Sequence, residues 1–400
     1  MEFSPNKFLR FVILQKNKYT DFMERERLLM KKNLNILLIG PLPPAVGGIT
    51  TFISDLLNSN LKDKFTLITF ATNRPPNRCS SQNIYYFLKC LVYTMYHMLI
   101  FPITLLRKKP DIVHIHTPSY LSFLENSYYL LVSKLLRKKV IFHIHGGAFD
   151  KFYLNSPSIL KYYIKFIMNF SDKIISLSSY WKAFYVNTIG VNEDSVSVVY
   201  NGFDSSMFIP MESNMCRKIL NLSCDKKIIL TIGSLTIEKG HGYLIEALSK
   251  LLVYRNDFIC IIIGDGELRK VLEEQINSTT VNDYIFVLGK KPHEDIPLWM
   301  NAANLFVLPS LIEGNPIVMS ESLGIGLPFI GTKVGAIPEI ISANDYGFLV
   351  EPGNSDDLAE VISVALDKMW DRVKIRQYAE LFKWDHVSED ISSIYLQFIG

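Results

Sequence analysis

Two habits alternate along this chain. Short apolar runs rich in β-branched residues end in polar residues or glycine, and longer stretches with apolar residues at helical spacing lie between them. That alternation is the pattern of βαβ units on a parallel sheet. In the first half, the runs at 34–39, 65–70, 111–115, 140–144, 173–177 and 196–200 predict strands; in the second half, 227–232, 258–263, 284–288, 304–308 and 328–331 do so. Behind Gly47 and Gly48, the residues Ile49, Phe52, Ile53, Leu56 and Leu57 share one helical face. Stretches 355–370 and 387–399 predict terminal helices, and Asn201-Gly202 punctuates the chain between its halves. The pattern predicts an α/β protein of two doubly wound domains facing a central cleft, with ligands at the C-terminal ends of the strands.

One stretch departs from the pattern. Residues 84–106 are long enough to cross a bilayer, with Lys89 and His97 as their only strongly polar members, and Arg107-Lys108-Lys109 follows. Both interruptions fall inside the stretch, so a helix packed on a sheet or lying in a membrane surface fits better than a span. In the surface reading, Tyr85, Tyr86, Tyr93 and Tyr96 sit at headgroup depth and the basic triplet meets anionic lipid.

Length and composition narrow the class. At 400 residues the chain exceeds the usual limit of one hydrophobic core. With 48% hydrophobic and 20% charged residues it is not collagen-like, disordered or a coiled coil. Five cysteines without a Cys-x-x-Cys pair disfavour a disulfide framework or structural zinc and point to a reducing, cytoplasmic compartment. The net charge of +3 hides an asymmetry: residues 1–200 carry 25 Lys and Arg against 12 Asp and Glu, and residues 201–400 carry 17 against 27. The basic half suits a phospholipid surface, a phosphorylated acceptor or nucleic acid, or it carries solvated faces that happen to segregate. No zinc-finger spacing or RNP-like strand supports nucleic acid. Residues 1–33 hold eight basic and four acidic residues and no signal-peptide pattern. They read as a basic arm, or as an extension ahead of a start at Met30.

Several loops carry candidate chemistry. Gly264-Asp265-Gly266-Glu267 follows a strand but lacks the third glycine of a dinucleotide fingerprint, which disfavours a dehydrogenase. It also reads as a tight turn with Glu267 at a helix N-terminus. In Glu313-Gly314-Asn315-Pro316-Ile317-Val318-Met319-Ser320-Glu321, Gly314 lets backbone approach a ligand. Pro316 suits the first helical position, so the amides of Ile317 and Val318 face an anion. Glu313 and Glu321 stand about 7.5 Å or more apart along the axis and would grip separate hydroxyls, or serve as a cap and a surface acid. In Gly233-Ser234-Leu235-Thr236-Ile237-Glu238-Lys239-Gly240, a lysine beside glycine is a phosphate ligand or a solvated loop residue.

Taken together, Pro43-Pro44-Ala45-Val46-Gly47-Gly48, His145-Gly146, Asn201-Gly202-Phe203-Asp204, the 233–240 loop, Gly264-Asp265-Gly266 and the pair Glu313 and Glu321 resemble, in this order, the retaining glycosyltransferases of family four. Gly335-Ala336-Ile337-Pro338-Glu339 and Gly347-Phe348-Leu349-Val350 extend the resemblance, which runs over about 34–375. It implies a GT-B fold with four parts: a basic extension at 1–33, an acceptor-binding Rossmann-like domain at 34–200, a nucleotide-sugar-binding one at 201–375, and a C-terminal helix at 376–400 that could pack back on the first domain.

The resemblance also implies residue roles. Lys239 would neutralise the donor diphosphate, Glu321 would hold the ribose diol, and Glu313 with the backbone of Asn315, Pro316, Ile317 and Val318 would hold the donor sugar. Gly233, Ser234 and Gly266 would line the donor loops. His145 resembles the histidine near the reacting sugar, with a strand-end histidine bonded to backbone as the plainer reading. Gly47 and Gly48 would let acceptor and donor phosphate approach, with His116 a weaker acceptor-side candidate. Ser234 departs from the family, which commonly has Arg there, and leaves the diphosphate charge to Lys239 and a helix N-terminus. No Asp-x-Asp occurs, in keeping with metal-independent chemistry and no cofactor beyond the nucleotide-sugar co-substrate. The expected function is hexosyl transfer to a glycan or polyprenyl-linked acceptor for cell-surface polysaccharide or glycolipid, in the cytoplasm or peripherally at the cytoplasmic face of the membrane. A nucleotide-sugar epimerase and a non-catalytic nucleotide-sugar-binding subunit are the alternatives.

Overall fold

The computed structural model describes residues 34–45, 47–74 and 84–398. The arm at 1–33, the alternative start at Met30 and Cys79 lie outside them. Twelve strands are described: β1 (Asn35–Gly40), β2 (Thr66–Ala71), β3 (Ile112–Thr117), β4 (Lys139–Ile144), β5 (Lys173–Ser176), β6 (Val196–Val198), β7 (Lys227–Ile232), β8 (Phe258–Ile263), β9 (Ile285–Val287), β10 (Leu305–Leu308), β11 (Phe329–Thr332) and β12 (Gly347–Val350). They form two six-stranded sheets, in the orders β2-β1-β3-β4-β5-β6 and β12-β11-β10-β7-β8-β9. Neighbours run parallel, with Asn35 opposite Thr66 and Lys227 opposite Phe258. Strands β3, β10 and β11 are buried along their whole length. Burial on both faces is why these runs are apolar throughout rather than alternating.

In each sheet the first strand lies between its second and third or fourth: β1 separates β2 from β3, and β7 separates β8 from β10. The chain reverses its direction of winding at those points, leaving a crevice beyond the strand ends where ligands bind in such folds. The loops after β7 and β10 therefore border that crevice in the second sheet. Around the sheets lie α1 (Gly48–Asn58), α2 (Ile84–Lys108), α3 (His241–Leu252), α4 (Ile317–Gly324), α5 (Ser355–Asp367) and α6 (Trp384–Leu396).

The sequence pattern located eleven strands to within two residues at each end and left out β12. That short edge strand opens on Gly347, where a Cβ would stand 1.9 Å from the Phe329 carbonyl oxygen. Helix α5 begins where expected but stops at Asp367 instead of 370, with Lys368 extended and Trp370 Nε1 donating to the Ala365 carbonyl at 2.8 Å. The expected single C-terminal helix from 376 is instead a helix at Arg372–Ala379, a 3₁₀ turn at Glu380–Phe382 and α6.

The described residues belong to two compact units. The first holds the chain through His116 with Glu125–Phe142 and Ser388–Gly400; the second holds Thr117–Leu124 and His143–Val387. Within the first unit, α6 packs beside β3 and the segment that leads into β2. Tyr395 is fully buried, its hydroxyl lies 2.7 Å from His114 Nδ1, and its ring meets Phe65 edge-on at 5.2 Å. Ser388 Oγ donates to Asn60 Oδ1 at 2.6 Å.

Helix α2, also in the first unit, packs on β2 through a narrow face and leaves most of its length uncovered. It is long and apolar enough to cross a membrane, yet only 11% of its most apolar window is buried. Phe101 and Leu105 hold it against Phe70 and Tyr129, and Tyr128 donates to the Met98 carbonyl at 2.8 Å. Phe87, Val92, Met95, Leu99, Ile103 and Leu106 are exposed, as are Lys89, Arg107, Lys108 and Lys109.

Tyr395→Phe, which removes one buried hydroxyl contact, should lower stability by about 1 kcal/mol, and Tyr395→Ala by about 3–5 kcal/mol. Thermal unfolding followed by circular dichroism ranks the two against wild type.

Candidate functional site

The loop after β7 turns within van der Waals reach of two other loops. Gly264, the residue after β8, has φ of 152° and no room for a side chain: a Cβ would lie 1.8 Å from the Gly233 carbonyl oxygen. At Gly266 a Cβ would lie 2.4 Å from the Leu235 carbonyl oxygen. Gly240 takes the left-handed φ of 65° that starts α3, and a Cβ there would meet the Pro309 carbonyl oxygen at 2.1 Å. The amide of Leu311 donates to the Glu238 carbonyl at 2.7 Å, which completes the join between the loops after β7 and β10. Gly264-Asp265-Gly266 thus owes its glycines to loop against loop. The helix after it starts at Arg269, so Glu267 stands ahead of the first turn rather than in it.

This interlock sets the charged groups. Lys239 ends a 3₁₀ turn, and its Nζ lies 2.6 Å from Glu313 Oε1, an oxygen that also accepts from Ser310 Oγ at 2.8 Å. The Glu313 side chain is 8% exposed and that of Lys239 25%. An ammonium has three donors, so two remain on Lys239 for another anion, and both contacts to Glu313 fall on one oxygen, leaving Oε2 for a hydroxyl. Ser234, by contrast, is exposed.

Pro316 occupies the N-cap of α4, one position ahead of the first helical residue where the sequence placed it, with ψ of 120°. The amides of Ile317 and Val318 still open the helix, and Asn315 is buried, donating to the Leu177 carbonyl at 3.3 Å and accepting from Asn201 Nδ2 at 2.6 Å. Glu321 is buried in α4 and meets His293 Nε2 at 2.8 Å. Glu313 and Glu321 therefore have separate partners. His293 escaped the sequence reading, although a polar residue right after Pro292, beyond the end of β9, was the available signal.

His145 belongs to the same unit as these groups. Its backbone amide donates to the Thr117 carbonyl at 2.8 Å, and its ring stacks on His143 at 4.1 Å. Desolvation lowers its pKa to about 3, so the imidazole is neutral at pH 7. The following loop touches Glu313: a Cβ on Gly147 would lie 2.4 Å from the Glu313 carbonyl carbon and 2.5 Å from the Gly314 nitrogen. A Cβ on Gly335 would meet the Glu313 carbonyl oxygen at 2.2 Å. The structure thus brings together His145, Lys239, Glu313 and the Asn315 to Val318 turn.

Gly47, Gly48 and His116 belong to the first unit. Gly47 is the N-cap of α1 with φ of 153°, and open space surrounds the Cβ position of both glycines. His116 is fully buried, stacked on His114 at 4.3 Å and tilted against Phe52 at 5.6 Å.

This architecture is a GT-B fold. HepE of Anabaena, solved in complex with UDP-glucose, superposes with a TM-score of 0.70 over 90% of this chain and 99% of its own, at 18% identity. The family model described as Glycosyltransferase Family 4 matches residues 46–206, and that described as Glycosyl transferases group 1 matches residues 214–382. The chain belongs to the family-four, group 1 glycosyltransferases. A glycosyltransferase of Methanocaldococcus jannaschii is 29% identical over 235 residues, 56% of this chain and 60% of its own length. The UDP-Gal:alpha-D-GlcNAc-diphosphoundecaprenol alpha-1,3-galactosyltransferase of Escherichia coli is 28% identical over 272 residues, 66% of this chain and 68% of its own length.

Because Gly147 has no space for a Cβ against Glu313, Gly147→Ala should push the His145 loop off that residue. Donor turnover should fall at least tenfold with an unchanged far-ultraviolet spectrum; wild-type turnover would mean that the contact does not set the site.

Proposed function

We propose that this protein is a retaining glycosyltransferase that moves a sugar, a hexose by preference, from a nucleoside diphosphate to a glycan or lipid-linked acceptor at the cytoplasmic face of an anionic membrane. The observation that carries this reading is the Lys239–Glu313 pair, set at the C-terminal ends of β7 and β10 by loops that admit no side chain. One donor residue and one acceptor residue, each with unused bonding capacity, suit a ligand with an anionic end and a hydroxylated end. The UDP-glucose bound by HepE is such a ligand, and the Escherichia coli relative is named for a diphosphoundecaprenol acceptor.

In this mechanism the bond from the anomeric carbon to the diphosphate oxygen breaks as the acceptor oxygen bonds to the same face of the sugar. Positive charge grows on an oxocarbenium-like sugar and negative charge on the departing diphosphate. Lys239 and the amides of Ile317 and Val318 stabilise the leaving charge, the task that dominates such catalysis. The departing phosphate oxygen takes the acceptor's proton. Glu313 holds donor-sugar hydroxyls, Glu321 the ribose diol with His293 orienting its carboxylate, and neutral His145 can accept or donate one hydrogen bond beside the reacting sugar. The chemistry calls on no metal ion, in line with a sequence without Asp-x-Asp.

Helix α2 supplies the reason for a lipid-side acceptor. Its exposed apolar residues and the basic residues Lys89, Arg107, Lys108 and Lys109 match an interface of acyl chain and anionic headgroup. Each basic residue near such a surface contributes about 1 kcal/mol at low salt.

Purified protein incubated with a panel of nucleotide sugars, lipid extract and chelator should release nucleoside diphosphate only when lipid is present. Lys239→Ala and Glu313→Ala should each cut release by roughly a hundredfold or more with the fold intact. Wild-type turnover in either variant refutes the role of the residue replaced, and donor binding without release under any acceptor points to a binding subunit instead. In flotation with anionic vesicles at low salt the protein should rise with lipid. Val92→Ser combined with Leu99→Ser should leave most of it below, and a wild type that stays below would remove the membrane from the proposal.

A further inference from the structure

His241, the first residue of α3, is 1% exposed, and neither Nδ1 nor Nε2 has a hydrogen-bond partner among the described residues. Leaving a buried polar atom unpaired costs about 1–3 kcal/mol, so two on one ring call for an explanation. Position supplies one. The ring tip, Cε1, lies 3.9 Å from where a Cβ on Gly233 would stand, and the Lys239 side chain passes the same point at 3.7 Å. The imidazole and the ammonium stem thus converge over the residue that precedes Ser234. No side chain caps the N-terminus of the twelve-residue helix that His241 opens, and no acidic residue lies in its first turn. Burial and the neighbouring Lys239 push the ring's pKa down to about 4, so at neutral pH it presents one N–H and one bare nitrogen.

We infer that His241 is a ligand of the donor's diphosphate, donating a ring N–H to a phosphate oxygen and, with Lys239, filling the place of the guanidinium that Ser234 lacks. The inference rests on the donor-site reading above and adds to it a residue that the sequence motifs did not single out. Lys239 Cδ and Cγ border the same point beside Gly233 at 3.7 and 3.8 Å, so a phosphate drawn to the ammonium comes to the loop on which the ring sits. In the free protein the orphaned ring is a standing cost, and the diphosphate removes it.

The test is calorimetric titration of the full chain with UDP, GDP and ADP and with the matching monophosphates, for wild type and His241→Leu. For the base that binds, the ratio of diphosphate to monophosphate affinity should fall roughly tenfold or more in the variant. Its melting temperature should be no lower than wild type, because an apolar side chain replaces an unpaired buried polar one. A histidine needed only for structure would give the opposite pair of results: a lower melting temperature and an unchanged ratio. An unchanged ratio, or an equal loss for both ligands, overturns the inference while leaving the donor site in place. A wild type that binds none of the three diphosphates overturns the donor-site reading and this inference with it. Should the leucine variant fail to fold, His241→Phe, which keeps a ring, makes the same comparison.

Discussion

Backbone packed on backbone is the constraint from which the candidate site follows. Gly240 against Pro309, Gly264 against Gly233, Gly266 against Leu235, and Gly147 and Gly335 against Glu313 are all contacts that no side chain could survive. Loops joined this way cannot slide past one another by even the width of a methyl group, because protein interiors transmit such strain rather than absorb it. The reward is positional. Lys239 and Glu313 arise from different loops, 74 positions apart, yet meet at 2.6 Å.

That pair is not where stability comes from. Bringing an ammonium and a carboxylate partly out of water costs much of what their attraction returns, and apolar replacements of such pairs are often no less stable. The apolar clusters on the two faces of the second sheet do the structural work: Leu230, Phe306 and Phe329 with their neighbours on one side, and Leu248, Ile262 and Val307 with theirs on the other. Charge placed at the edge of such a core, mostly covered and with donors to spare, suits the preorganisation for a ligand proposed above. The neutral rings of His145 and His241 fit the same logic, since burial suppresses their charge without removing their capacity to bond.

Much of this was legible in the sequence, and the part that was not has a common physical cause. Buried parallel strands announce themselves by apolar content alone, so 227–232 and 258–263 coincide with β7 and β8 end to end. The edge strand β12 starts on glycine and is held mainly by its register to β11, with Gly347 opposite Phe329, which no local pattern encodes. The glycine loops could be found, but the packing around them could not: the contact of Gly266 with the Leu235 carbonyl, which leaves no room for a Cβ, has no local signal. His241 and His293 are single polar residues whose importance rests on which partner they lack or meet, Glu321 in the second case. His116, singled out by its place at a strand end, is packed at zero exposure beside Phe52 and His114, surroundings that no local pattern encodes.

Helix α2 shows the same limit in stronger form, because its sequence satisfies a core helix and an interfacial helix equally well. What separates them is the area left uncovered. A core helix would hide most of its apolar surface, whereas in α2 Phe101 and Leu105 suffice to anchor the element and most of the remainder faces outward. Exposed apolar surface of that extent on a soluble protein is a liability unless something covers it. For the membrane contact proposed above, the basic excess of residues 1–200 would favour an anionic surface, which gains from every lysine and arginine beside the helix. Lys239, Glu313 and Glu321 lie in the second unit and α2 lies in the first. Under the transfer proposed above, the donor and the acceptor would fall to separate units of one chain, the Lys239–Glu313 pair to the second and the exposed face of α2 to the first.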